Sequence, residues 1–105
     1  MATVSSEGEP AQRAGTRPAY LAMVLHAHLP FVRHPEHHVF AEEDWLYEAI
    51  IETYVPLLQT FERLRSDGIP FRLTLSFSGT LLSMLGDDLL RRRFERHLKQ
   101  LQRLA

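Results

Sequence analysis

YLAMVLHAHLP, residues 20–30, is the stretch on which the fold turns. Tyr20 to Leu25 is a nearly continuous apolar run, the pattern of a strand buried on both faces of a parallel sheet, with a buried helical turn as the alternative. Taken as a strand, it is followed directly by His26-Ala27-His28. Strand side chains repeat every two residues, so His26 and His28 point to one side while Pro30 turns the chain away behind them. In parallel α/β folds ligands bind beyond the carboxyl ends of the strands, which is where this pair stands.

Downstream, apolar Leu46, Ile50, Tyr54, Leu57, Phe61 and Leu64 recur every three or four residues, predicting a helix over 44–65. Pro56 interrupts it and predicts a kink or a restart with Pro56 in the first turn of a second segment. Asp67 and Gly68 supply turn chemistry. Residues 71–77, FRLTLSF, alternate apolar and polar positions and predict a second strand. Ser78 is placed to cap a short helix ending at Gly86, and Asp87 or Asp88 to cap a last helix with the stripe Leu90, Phe94, His97 or Leu98, Leu101 and Leu104.

Strands alternating with helices imply an α/β architecture with a parallel sheet. Two strands do not make an independently stable sheet, and a closed barrel of such units takes about 250 residues. The segment therefore reads as the opening part of a larger domain and is expected to need the remainder for stability. Residues 1–18, MATVSSEGEPAQRAGTRP, lack hydrophobic periodicity and are expected to form a disordered leader, leaving 19–105 as the folded part.

Composition narrows the functional classes. The 105 residues are 45% hydrophobic and 24% charged, with a formal net charge of -1, so no global nucleic-acid footprint exists. Cysteine is absent, which excludes disulfides, thiolate metal sites and cysteine nucleophiles. No apolar run approaches the roughly 18 residues of a membrane span, and the first 18 residues show no secretory pattern; a cytoplasmic location is expected. Residues 36–62 hold seven acids and no Lys or Arg, whereas 89–105 hold six basic residues and one acid. Both runs read as solvated helix faces, with a nucleic-acid role for Arg91, Arg92 and Arg93 as the weaker alternative.

Five of the six histidines lie between His26 and His38. Two neutral imidazoles at His26 and His28 suit hydrogen bonding to sugar hydroxyls or coordination of a divalent metal, and the plain alternative is a pair of satisfied structural residues. His34, His37 and His38 follow no strong metal-ligand spacing and read as loop residues. Trp45 lies one residue off the main helix stripe, a position that fits core packing or stacking on a sugar ring or base. No Gly-x-Ser-x-Gly, phosphate loop or base partner for Ser76 or Ser78 is present. Glu42, Glu43, Asp44, Glu48 and Glu52 fall near a helix start and read as solvated.

With these residues in view, LHAHLPFVRHPEH, EEDWLYEAIIETYVPLLQTFERL and FRLTLSFSGTLLSML, in this order, resemble the N-terminal opening of glycoside hydrolase family 57. Within that family the resemblance is to the 1,4-alpha-glucan branching enzymes, and it runs from about Tyr20 onward. It implies the first two βα units of a (β/α)7 barrel and a retaining mechanism on α-glucans in glycogen metabolism. The nucleophilic Glu and the acid/base Asp of such a mechanism come from later strands. By the same resemblance His26, His28 and Pro30 match the family's first sequence region, with the histidines near the glucose at the cleavage point, and Trp45 matches an aromatic near the substrate groove. Gly79 stands where relatives carry Pro, which implies a looser turn after the second strand.

The expectation is thus an N-terminal part of a glucan branching enzyme, carrying substrate-binding His26, His28 and Trp45, no catalytic residue, no metal and no cofactor. The partner is an α-glucan, with neither nucleic acid nor membrane. A second class of function treats His26-x-His28 as the metal pair that opens a metal-dependent hydrolase barrel. A small α/β interaction module without a site is the third.

Overall fold

The alternating stretch at 72–77 becomes the central strand of the sheet. In the computed structural model, which describes residues 1–5, 15 and 18–105, three strands lie in the order β1 (Ala2–Ser5), β3 (Arg72–Phe77), β2 (Val24–Ala27). β2 and β3 run parallel, in register from Val24 opposite Thr74 to Ala27 opposite Phe77. β1 runs antiparallel on the other edge of β3, with Ala2 opposite Leu75 and Ser5 opposite Arg72.

Two expectations change here. The first strand is shorter and wetter than its apolar run suggests: it begins at Val24, which is 66% exposed, while Tyr20 and Leu21 are exposed outside it. Among the described residues β2 pairs only with β3, so just the residues that reach that ladder are held. The second change is at the leader, where Ala2–Ser5 form a strand. Thr3 and Val4 are β-branched and suit the pleat, and β3 offers an edge of unpaired backbone groups for them to satisfy. Residues 6–14, 16 and 17 of the leader lie outside the described residues.

The expected long helix is α1 (Glu43–Glu48), a π-helical segment (Ala49–Tyr54) and α2 (Val55–Ser66). Pro56 falls in the first turn of α2, and ahead of it the Val55 N–H reaches back five residues to the Ile50 carbonyl. Proline has no N–H and crowds the carbonyl four residues earlier, so widening the preceding turns accommodates the ring without breaking the helix. Gly68, at φ +68°, ends α2 in the left-handed region, and the Ile69 N–H caps the Leu64 carbonyl at 2.9 Å.

α3 (Gly79–Leu85) and α4 (Asp88–Leu104) start at side-chain caps: Ser78 Oγ accepts from the Leu81 N–H at 3.3 Å and Asp87 Oδ1 from the Leu90 N–H at 3.0 Å. Val32, Leu46, Tyr47, Leu81, Met84 and Leu90 make up the buried cluster, and Ala27 and Phe77, the last residues of β2 and β3, pack against it. The core therefore abuts the carboxyl ends of the parallel strands. The stripe of α4 is covered only in its first half; Leu101 and Leu104 are exposed.

Candidate functional site

Alternation along the parallel pair sorts its side chains. Leu25 and Ala27, beside Leu75 and Phe77, occupy the face that leads into the core, whereas Val24 and His26, beside Thr74 and Ser76, occupy the opposite face. His26 and His28 are both exposed, and their rings lie nearly parallel, 10° apart in plane with centroids 6.1 Å apart. The sequence expectation that they project to one side holds. Two imidazoles so disposed offer adjacent donors or acceptors to one ligand. Among the described residues no group of three or more His, Asp or Glu is placed to hold a metal ion, so a metal on this pair would need further ligands.

The segment that follows the pair is anchored residue by residue. Thr80 Oγ1 donates to the Leu29 carbonyl at 2.9 Å and lies 3.1 Å from Ser78 Oγ. The Ser78 N–H donates to the Ala27 carbonyl at 3.0 Å. The Ser78-Gly79-Thr80 corner is thus fixed by its hydroxyls, and Gly79 does not loosen it; its backbone begins α3 without a positive φ. Val32 is buried, and its N–H points to Met84 Sδ at 3.3 Å. Arg33 Nε donates to Asp87 Oδ2 at 2.7 Å. Asp87 thereby joins the loop to the start of α4, and its carboxyl is held below the usual carboxylate range by the Leu90 backbone N–H and by Arg33.

A buried polar cluster completes the anchoring. Arg93 donates to the Glu43 carboxylate, to the His34 carbonyl at 3.1 Å and to the His37 carbonyl. Tyr47 Oη donates to Glu43 Oε2 at 3.0 Å, and its ionisation is pushed up first by burial and then by that bond. Glu43 is 2% and Arg93 8% exposed, which corrects the expectation that both belong to solvated faces. The signal was available in the spacing. Glu43 stands three and four residues before buried Leu46 and Tyr47, and Arg93 stands three after buried Leu90, so each lies on the inward face of its helix.

His34 Nδ1 lies 2.9 Å from Glu36 Oε1, and the His34 and Phe40 ring centroids are 3.8 Å apart. The Glu36 carboxyl is lowered by its own backbone N–H and by His34. These contacts keep His34 and His37 within the loop's own packing, in line with their reading as loop residues. Trp45 is 50% exposed on α1, and among the described residues no ring contact joins it to His26 or His28. The structure thus brings the two histidines together and leaves Trp45 apart from them.

Among the described residues no helix is long and apolar enough to cross a membrane. The chain is similar to the 1,4-alpha-glucan branching enzyme of Thermococcus kodakarensis, 42% identical over 81 residues, which are 77% of this chain and 12% of that protein. It is also similar to the probable 1,4-alpha-glucan branching enzyme of Mycobacterium tuberculosis, with 33% identity over 70 residues in each of two strains, 67% of this chain and 13% of that protein. The chain thus spans about an eighth of the length of these relatives. No family model matches the chain. No solved structure matches it.

Proposed function

We propose that this chain is the N-terminal part of an alpha-glucan branching enzyme of glycoside hydrolase family 57, a cytoplasmic transglycosylase that moves α-1,4-linked segments to α-1,6 branch points. Its two parallel strands then open a (β/α)7 barrel. The observation that carries this reading is the placement of His26 and His28, side by side at the carboxyl end of β2, on the face turned away from the buried cluster. In a closed barrel that face is the interior, and the carboxyl ends of its strands form the site. A third parallel strand would add to β3 on the edge that β1 holds here.

In that site the two imidazoles hydrogen-bond the hydroxyls of the glucose undergoing transfer, with the Ser78-Thr80 corner fixing the chain directly behind His28. Trp45 would stack on glucan farther along the groove. The carboxylates that attack and protonate the glycosidic bond lie outside this segment, so the chain alone does not catalyse. Neither a metal nor a cofactor takes part.

The test is a chimera in which the homologous segment of the Thermococcus kodakarensis enzyme is replaced by residues 20–105. Retained branching of amylose, read by the change in iodine staining, supports the proposal. Reproducible turnover by the isolated chain would overturn it.

A further inference from the structure

Away from the histidine pair, α4 and the loop ahead of α1 line a half-open cavity of about 270 Å³ bordered by His38, Leu89, Arg92, Arg93 and Arg96. No carboxylate lines it. Arg92 and Arg96 are one helical turn apart on the same face, a like-charge spacing that is unfavourable unless something neutralises it. Neither forms an ion pair among the described residues. Arg93, between them, is already neutralised by Glu43 and donates to the His34 and His37 carbonyls, so it serves as the wall that holds the loop across from α4. Among the described residues, the hydrogen bond Arg96 makes to that loop is a long 3.5 Å one to the His38 carbonyl. Two guanidinium groups with donors to spare, and one imidazole, therefore face a common volume.

We propose that this cavity binds a phosphate monoester, with Arg92 and Arg96 clamping the phosphoryl oxygens and His38 closing the loop side. The guanidinium fork matches phosphate oxygens two at a time, which an acid-free wall leaves uncontested. The volume of this half-open cavity has room for a phosphoryl group with a small substituent, and its two free guanidinium groups form a local pair rather than the long basic stripe that a nucleic-acid backbone follows.

An arginine-specific dicarbonyl reagent, with modification of the 105-residue chain read site by site by mass spectrometry, tests this. Arg92 and Arg96 are exposed, as are Arg63 and Arg103, but inorganic phosphate is expected to slow modification only at Arg92 and Arg96, whereas chloride at matched ionic strength does not. Replacing Arg96 by Gln removes one charge-assisted contact and should raise the phosphate concentration needed to protect Arg92 about tenfold. A hexose phosphate protecting at lower concentration than inorganic phosphate identifies a sugar ester as the occupant; equal protection identifies the phosphoryl group alone. Equal protection by chloride, unchanged protection of Arg92 in Arg96→Gln, or Arg93 reacting as fast as Arg63 overturns the site, the last because the cavity wall would then be absent.

Discussion

Arg93 in α4 and Glu43 at the start of α1 form an ion pair whose side chains are 8% and 3% exposed, fifty residues apart in sequence. Removing one partner of such a pair strands a buried charge, at a cost of about 3–5 kcal/mol. Arg93→Met is expected to destabilise more than Glu43→Gln, because it also unpairs the His34 and His37 carbonyls. The double variant Glu43→Gln/Arg93→Met should recover much of the loss, since it leaves no lone charge. Urea unfolding of the four proteins checks this; additive single losses would show that the charges do not act as a pair.

Tyr47 depends on the same cluster. Tyr47→Phe keeps the ring in the core and removes one hydrogen bond to a carboxylate that Arg93 still neutralises, so the loss should be about 1–3 kcal/mol. A cost as large as that of Arg93→Met would mean that Tyr47, not Arg93, organises the cluster.

Asp87 predicts the acid response of the loop. Its carboxyl lies below its ordinary value of 3.8 in the folded chain, held there by the Leu90 backbone N–H and then by Arg33. A folded-state pKa below the unfolded one stabilises above the unfolded value, and the contribution fades as pH falls through the lowered pKa. Asp87→Asn should therefore destabilise the chain above pH 3.8 and converge with the parent in stronger acid. Asp87→Ala, which also loses the helix cap, should cost about 1–2 kcal/mol near neutrality. Thermal melts at several pH values are the measurement, and a gap between Asn variant and parent that persists in strong acid would contradict the assignment.

The parts of the fold legible in the sequence are those set by local periodicity and capping. The β3 alternation, the Ser78 and Asp87 caps and the turn at Gly68 each follow from side chains within a few residues. The shared side of His26 and His28 was legible for the same reason. What stayed hidden depends on distant partners. Ala2–Ser5 becomes a strand because β3 has an open edge, and the β-branched pair Thr3 and Val4 is too short a signal to announce it. Charge masks the inward position of Glu43 and Arg93, although their spacing to buried Leu46 and Leu90 places both inside.

β2 predicts how the chain associates. On the side away from β3 it has no neighbouring strand among the described residues, and Tyr20, Leu21, Met23 and Val24 are exposed beside that edge. An open edge flanked by apolar side chains pairs readily with a second copy, and lysines placed there oppose pairing. Light scattering is expected to show concentration-dependent association that Leu21→Lys/Val24→Lys suppresses. Association unchanged in that variant would point to the other open surfaces, such as the exposed end of α4.

The histidine pair separates sugar contact from metal ligation, and the chimera provides the closed site in which to ask. If His26 and His28 hydrogen-bond the glucose in transfer, either Ala substitution removes a donor in a dry site and leaves its partner unpaired, lowering kcat/KM by about 100-fold or more. Chelators should then leave the unmutated chimera fully active. A metal-ligand role has the opposite signature: the chelator abolishes activity, zinc or manganese restores it, and bound metal falls in His26→Ala. The sugar outcome is expected because it follows from the branching-enzyme reading, which rests on a match far longer than a two-residue metal motif. Stoichiometric metal in the chimera that is lost with His26 would reverse the assignment and move the pair to the metal-dependent hydrolases.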